Sequence, residues 1–166
     1  MNLATVQDFI QQFGLYMQLM ACLAYILNFR RVDTFVSLCV GILLLTPSQF
    51  LFERYLLELA IEPTNKEMVR NLWYIGFAIS DMVFVAIVAL IAHFQNLKFD
   101  FTSKILAFSF LGMAWIQLFR YVDRIVIETD MLGEFYRASI PAINISVTIV
   151  IVVFTLGMIA ADGARK

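Results

Sequence analysis

LWYIGFAISDMVFVAIVALIAH, residues 72–93, is an almost unbroken apolar run that contains one carboxylate, Asp81, and ends on the chain's single histidine, His93. As a helix rising 1.5 Å per residue, a run of this length reaches about 33 Å, enough to cross the roughly 30 Å hydrocarbon core of a bilayer. Its apolar residues are continuous rather than alternating, which excludes a membrane-barrel strand. Four further segments read the same way: 9–29, ending at Arg30-Arg31, then 34–52, 105–127 and 140–160. The expected fold class is therefore all-α, a polytopic integral membrane protein with about five transmembrane helices in a single domain over residues 1–166. A four-span version, with the first segment or the Pro47 region lying flat on the membrane, is the alternative.

Composition agrees. The chain is 61% hydrophobic and 15% charged, with a mean hydropathy of +0.83, whereas a soluble domain is about half apolar and a quarter charged. Lipid is the solvent that such a chain requires. The net charge of −1 and the lack of a basic stripe exclude nucleic acid as a partner. The N-terminal MNLATVQDFIQQFG lacks the features of a signal peptide, and neither end carries a lipidation motif.

Helix boundaries can be read from polar residues. Thr64-Asn65-Lys66-Glu67, after Pro63, has capping-box spacing and predicts the start of the third helix. Thr46-Pro47-Ser48-Gln49 has the same logic, so the second helix is expected to kink at Pro47, or to break there into a half-span and an interfacial helix, PSQFLFERYLLELAIE. WIQLFRYVDRIVIE carries the fourth helix past its apolar core. Arg120 and Asp123 lie at i,i+3 there, and Arg124 and Glu128 at i,i+4. This end is expected to project beyond the bilayer, with Arg124 and Glu128 facing a partner.

Five spans put the chain ends on opposite sides and divide the loop charges into two sets. One set (Arg30, Arg31, Lys98, Lys104, Arg165 and Lys166 against Asp33, Asp100 and Asp162) has a balance of +3. The other, with Asp8, Glu53, Arg54, Arg70, Arg137 and their neighbours, has −3. Lys and Arg counts are equal, so the positive-inside rule alone does not choose. The acid asymmetry and the compact Arg30-Arg31 turn favour a cytoplasmic C-terminus and an outer N-terminus. Tyr55, Trp73, Tyr74, Tyr121 and Tyr136 then form an outer aromatic belt, and a bacterial-type inner membrane is the expected location.

Asp81 is 12 residues from His93, about 18 Å from the inner end of its helix. The same depth on the other spans falls near Gln18, Thr46, Gln117 with Arg120 one turn above, and Thr148. These residues form the expected intramembrane polar cluster. One reading makes them interhelical glue, with Asp81 paired to Arg120 or Gln117. The other makes Asp81 part of a proton or cation path. Both require Asp81 to face protein.

The remaining candidates read as structural. Cys22 and Cys39 have no CxxC or Cys/His context and read as small buried apolar residues. His93 reads as an interfacial tip, and one histidine cannot supply a bis-His haem. Asn144-Ile145-Ser146 matches a glycosylation sequon but lies inside a span. No metal set, cofactor motif or catalytic motif is found, so the chain is not expected to be an enzyme. The expected function is that of a small integral membrane subunit acting by association, as an anchor, assembly or sensor component among other membrane proteins or copies of itself. The alternative is a homo-oligomeric ion or proton channel, or a membrane-permeabilising effector of lysis or phage-defence type, with Asp81 in the path.

Overall fold

The computed structural model describes the backbone of residues 3–30 and 33–164, with side chains from residue 13 onward. Arg31, Arg165, Lys166 and the side chain of Asp8, all members of the two charge sets, lie outside the described residues. Five helices follow one another: α1 (Leu3–Phe29), α2 (Thr34–Leu59), α3 (Lys66–Phe94), α4 (Phe101–Tyr121) and α5 (Gly133–Gly163). A 3-10 turn, Pro63–Asn65, leads into α3, and a π turn, Val122–Val126, extends α4.

The helices begin where the backbone finds an acceptor. Asp33 caps α2, its carboxylate accepting from the Val36 amide at 3.0 Å. Asp100 caps α4 by accepting from the Ser103 amide at 2.6 Å. Each cap satisfies a donor that the first helical turn leaves without an intrahelical partner. Asn96 closes α3 with φ of 54°, a left-handed conformation that asparagine tolerates better than most residues. Arg30 (φ 46°) and Glu128 (φ 59°) take the same region after α1 and after the π turn.

Short connections force sequential helices to run antiparallel. α1 packs on α2, α2 on α3, α3 on α4, α4 on α5, and α5 returns to α1. An odd number of alternating helices closed in a ring must contain one parallel neighbouring pair. That pair is α1 and α5: Gln18 meets Thr148, and further along both helices Tyr25 meets Phe154. The core draws on every helix, including Tyr25, Phe35, Leu38, Ile42, Phe84, Leu106, Phe110 and Ile151. Phe84 and Phe110 meet edge-on at 4.7 Å between centroids, fixing the α3–α4 register. Gly41 and Gly76 let α2 and α3 approach closely. A methyl at Gly41 would enter the Phe84 ring, and one at Gly76 would stand 2.7 Å from Phe52.

Four helices are long and apolar enough to cross a membrane: α2, α3 with its 3-10 lead, α4 with its π turn, and α5. The shorter apolar stretch Phe13–Phe29 of α1 lies in the same bundle.

Four boundaries differ from those expected of the sequence. The helix does not break at Pro47: α2 continues to Leu59, so residues 47–62 are not a separate interfacial helix. Pro47 is exposed, and a ring on the outer face of a membrane helix is tolerated when local adjustments satisfy the carbonyl it deprives. Ser48 Oγ donates to the Leu44 carbonyl at 2.8 Å. Thr64 does not cap α3, because Pro63–Asn65 forms a 3-10 turn and the helix starts at Lys66. The extension of α4 stops at Val126. Glu128 has left-handed backbone, so Arg124 and Glu128 do not share a helix and the expected i,i+4 pair does not form. α5 begins at Gly133, ahead of the expected segment 140–160.

Candidate functional site: polar groups inside the bundle

Asp81 is 3% exposed, on the face of α3 that meets α2. Its partner is Gln49 of α2. The Gln49 amide donates to Asp81 Oδ1 at 2.8 Å and to Ser80 Oγ at 2.9 Å, while the Ser80 hydroxyl donates to the Phe77 carbonyl at 2.8 Å. Asp81 therefore pairs with neither Arg120 nor Gln117. The Phe84–Phe110 contact sets Asp81 level with Met113 on antiparallel α4, which leaves Arg120 about 10 Å further along the axis.

A cleft of about 280 Å³ opens beside this group, between α2 and α3, lined by Leu45, Ser48, Gln49, Phe52, Gly76 and Ser80. Phe52 leans over Gly76 and meets Phe77 edge-on, closing one end. The cleft walls are mostly apolar, and Gln49 and Ser80 link them to the Asp81 carboxylate.

The other polar residues of the expected cluster go elsewhere. Gln18 Nε2 donates to Thr148 Oγ1 at 2.8 Å, tying α1 to α5. Gln117 Oε1 accepts from the Tyr136 hydroxyl at 2.9 Å, tying α4 to α5, and Tyr74 of α3 meets the edge of Tyr136. Thr46 is half-buried and joins none of these contacts among the described residues. The cluster is thus three separate interhelical links, not one site. Depth along the membrane normal places residues at one level but does not say which helix faces are neighbours.

Arg120 anchors a fourth group. Its guanidinium donates to Asp123 and to Asp130. Asp123 also accepts from the Thr129 hydroxyl and from the amides of Met131 and Leu132, both at 3.2 Å. One carboxylate thereby holds the turn into α5 against the end of α4. The hydrogen bond from Arg120 holds the Asp130 carboxyl below the usual carboxylate range, against the opposing effect of burial. Gly133 makes the closeness feasible, since a Cβ there would stand 2.8 Å from Asp130 Oδ1. At the opposite end of the bundle, the Tyr25 hydroxyl donates to Asp33 at 2.7 Å and Thr34 Oγ1 donates to the Lys98 carbonyl at 3.0 Å.

Gln49, Asp130 and Tyr136 are the site residues that the sequence reading does not identify. For Gln49 the signal is present, because it is the only amide side chain between Thr34 and Phe52. Reading Pro47 as a helix start assigns Gln49 to a capping box and removes it from the span. Among the described residues no three His, Cys, Asp or Glu side chains converge as a metal site would require. Comparison with protein-family models, curated proteins and solved structures finds no match.

Proposed function

We propose that this chain is a five-span subunit of an inner-membrane complex of bacterial type, with an outer N-terminus and a cytoplasmic C-terminus, and that it acts by association rather than catalysis. The observation that carries this reading is Asn144. It lies 11 residues into α5 and is exposed, and among the described residues its side-chain amide has no hydrogen-bond partner. In the parallel α1–α5 register it stands level with Gly14, where the nearest side-chain atom to an added methyl would be Thr148 Oγ1 at 3.5 Å. Asn144 also lies on the span whose apolar window is the least buried of the four, at 17%. An amide left unsatisfied in hydrocarbon costs several kcal/mol. A helix from another membrane protein, seated over Gly14 and hydrogen-bonded to Asn144, removes that cost. The internal polar links support the same reading, since each joins two helices of this chain and leaves Asn144 for a partner.

The test is gentle extraction of tagged chain, followed by mass determination of the intact particle and identification of its components. Wild-type chain is expected in a larger particle. Asn144→Leu and Gly14→Leu are expected to release it as a folded monomer. A wild-type monomer, or variants that keep every partner, would refute the reading.

A second reading is favoured by one observation, the buried Asp81 carboxylate behind a laterally open cleft. On it, copies of this chain conduct protons or cations, as a channel or as a permeabilising effector, with Asp81 in the path. Pure chain in liposomes then gives ion flux that Asp81→Asn alters, and equal flux in both proteins would remove Asp81 from that role.

A further inference from the structure

Cys22 on α1 and Cys39 on α2 face each other across the α1–α2 hairpin. The register of the α1–α2 hairpin places them so. The hairpin register is fixed by the Tyr25–Phe35 ring contact, at 4.9 Å between centroids, and by the hydrogen bond from Tyr25 to Asp33. Cys22 is three residues before Tyr25 and Cys39 is four after Phe35, which is the next turn along each helix on the facing sides. Both are free thiols, 3% and 2% exposed, among Ala21, Leu38 and Ile42.

We propose that Cys22 and Cys39 form a dithiol site that an organic hydroperoxide dissolved in the bilayer oxidises to an intrachain disulfide, strapping α1 to α2. Both sulfurs lie within apolar helices of the bundle, away from water-borne reagents, and thiol chemistry is governed by access as much as by nucleophilicity. The oxidant class is therefore one that partitions into lipid. One sulfur attacks the terminal peroxide oxygen, the O–O bond breaks, and the alcohol leaves with the thiol proton. The resulting sulfenic acid is attacked by the second sulfur, forming the S–S bond and releasing water. Two thiols lose two electrons and two hydrogens, and the peroxide gains them. The disulfide fixes the α1–α2 hairpin, and through it the placement of α1 against α5. The proposal is independent of the association reading, because it concerns one copy of the chain.

The test uses the full chain in lipid vesicles treated with cumene hydroperoxide, then denatured in acid, alkylated and weighed intact. Wild-type protein is expected to lose both alkylation adducts and to become lighter by two hydrogens, as a monomer. C22S and C39S are expected to give no product lacking two hydrogens, which separates the intrachain bond from other oxidation. The proposal is overturned if both wild-type thiols still accept adducts, if the mass rises by added oxygen instead, or if the bond joins two chains.

Discussion

The link between Gln49 and Asp81 is the most exacting test of the packing described above. Gln49→Leu removes two interhelical hydrogen bonds, those to Asp81 and Ser80. It does not strand Ser80, whose hydroxyl donates within its own helix. Side-chain hydrogen bonds between membrane helices average about 0.6 kcal/mol and reach about 1.7. Gln49→Leu is therefore expected to cost about 1.2 kcal/mol, with a ceiling near ~3.4 kcal/mol, from twice those values. Asp81→Leu removes only the shorter bond. In a double-mutant cycle the coupling between the two changes is expected at about 0.6 to 1.7 kcal/mol. Asp81→Asn keeps an oxygen for Gln49 and is expected to lose less than Asp81→Leu. The assay is reversible unfolding in mixed micelles, followed by tryptophan fluorescence. Trp73 packs on Phe77 near the same cleft, at 5.4 Å between centroids, and reports on the α2–α3 contact. A coupling within the ~0.3–0.5 kcal/mol by which distant sites depart from additivity would refute the pairing. Strong coupling of Asp81 to Arg120 instead would restore the pairing read from depth alone.

Other consequences follow from the same contacts. Gly41→Ala drives a methyl into the Phe84 ring and is expected to destabilise by about 1–3 kcal/mol, the usual range for overpacking; Phe84→Leu in the same chain should recover part of that loss in the micelle assay. The Asp130 carboxyl is depressed below its ordinary 3.8 by Arg120, so its contribution to stability is complete above that value and is lost as pH falls through the lower folded value. Acid unfolding of Asp130→Asn should accordingly show a shallower pH dependence below about pH 4 than wild type, and an unchanged slope would remove Asp130 from the clasp. The proposed five-span arrangement puts the chain ends on opposite sides of the membrane; reporters fused at each end should then differ in accessibility, and equal accessibility would favour the four-span arrangement.

Much of the fold is legible because lipid imposes one strong rule: every backbone polar group in hydrocarbon must be satisfied within its own segment. An apolar run long enough to cross is then a helix, and the four helices that meet this criterion lie where such runs occur in the sequence. Boundaries are harder to read, because turn chemistry has more than one solution. Thr64 has the residues of a capping box, but a 3-10 turn over Pro63–Asn65 satisfies the same backbone. Pro47 has the residues of a helix start, but α2 runs through it to Leu59.

The candidate site divides along the same line. That Asp81, Gln18, Gln117, Arg120 and Thr148 lie within or at the ends of apolar helices is readable from the chain alone, because position along a helix is rise per residue and nothing more. Which of them meet is settled by the packing of the helices. Rotation about each helix axis turns Asp81 toward Gln49, Gln18 toward Thr148, and Arg120 toward Asp123 and Asp130. It also turns Cys22 and Cys39, which read singly as two small apolar residues, into one facing pair. That rotation is set by ring closure of five helices and by where Gly41, Gly76 and Gly133 permit close approach, which are properties of the packed bundle and of no single span.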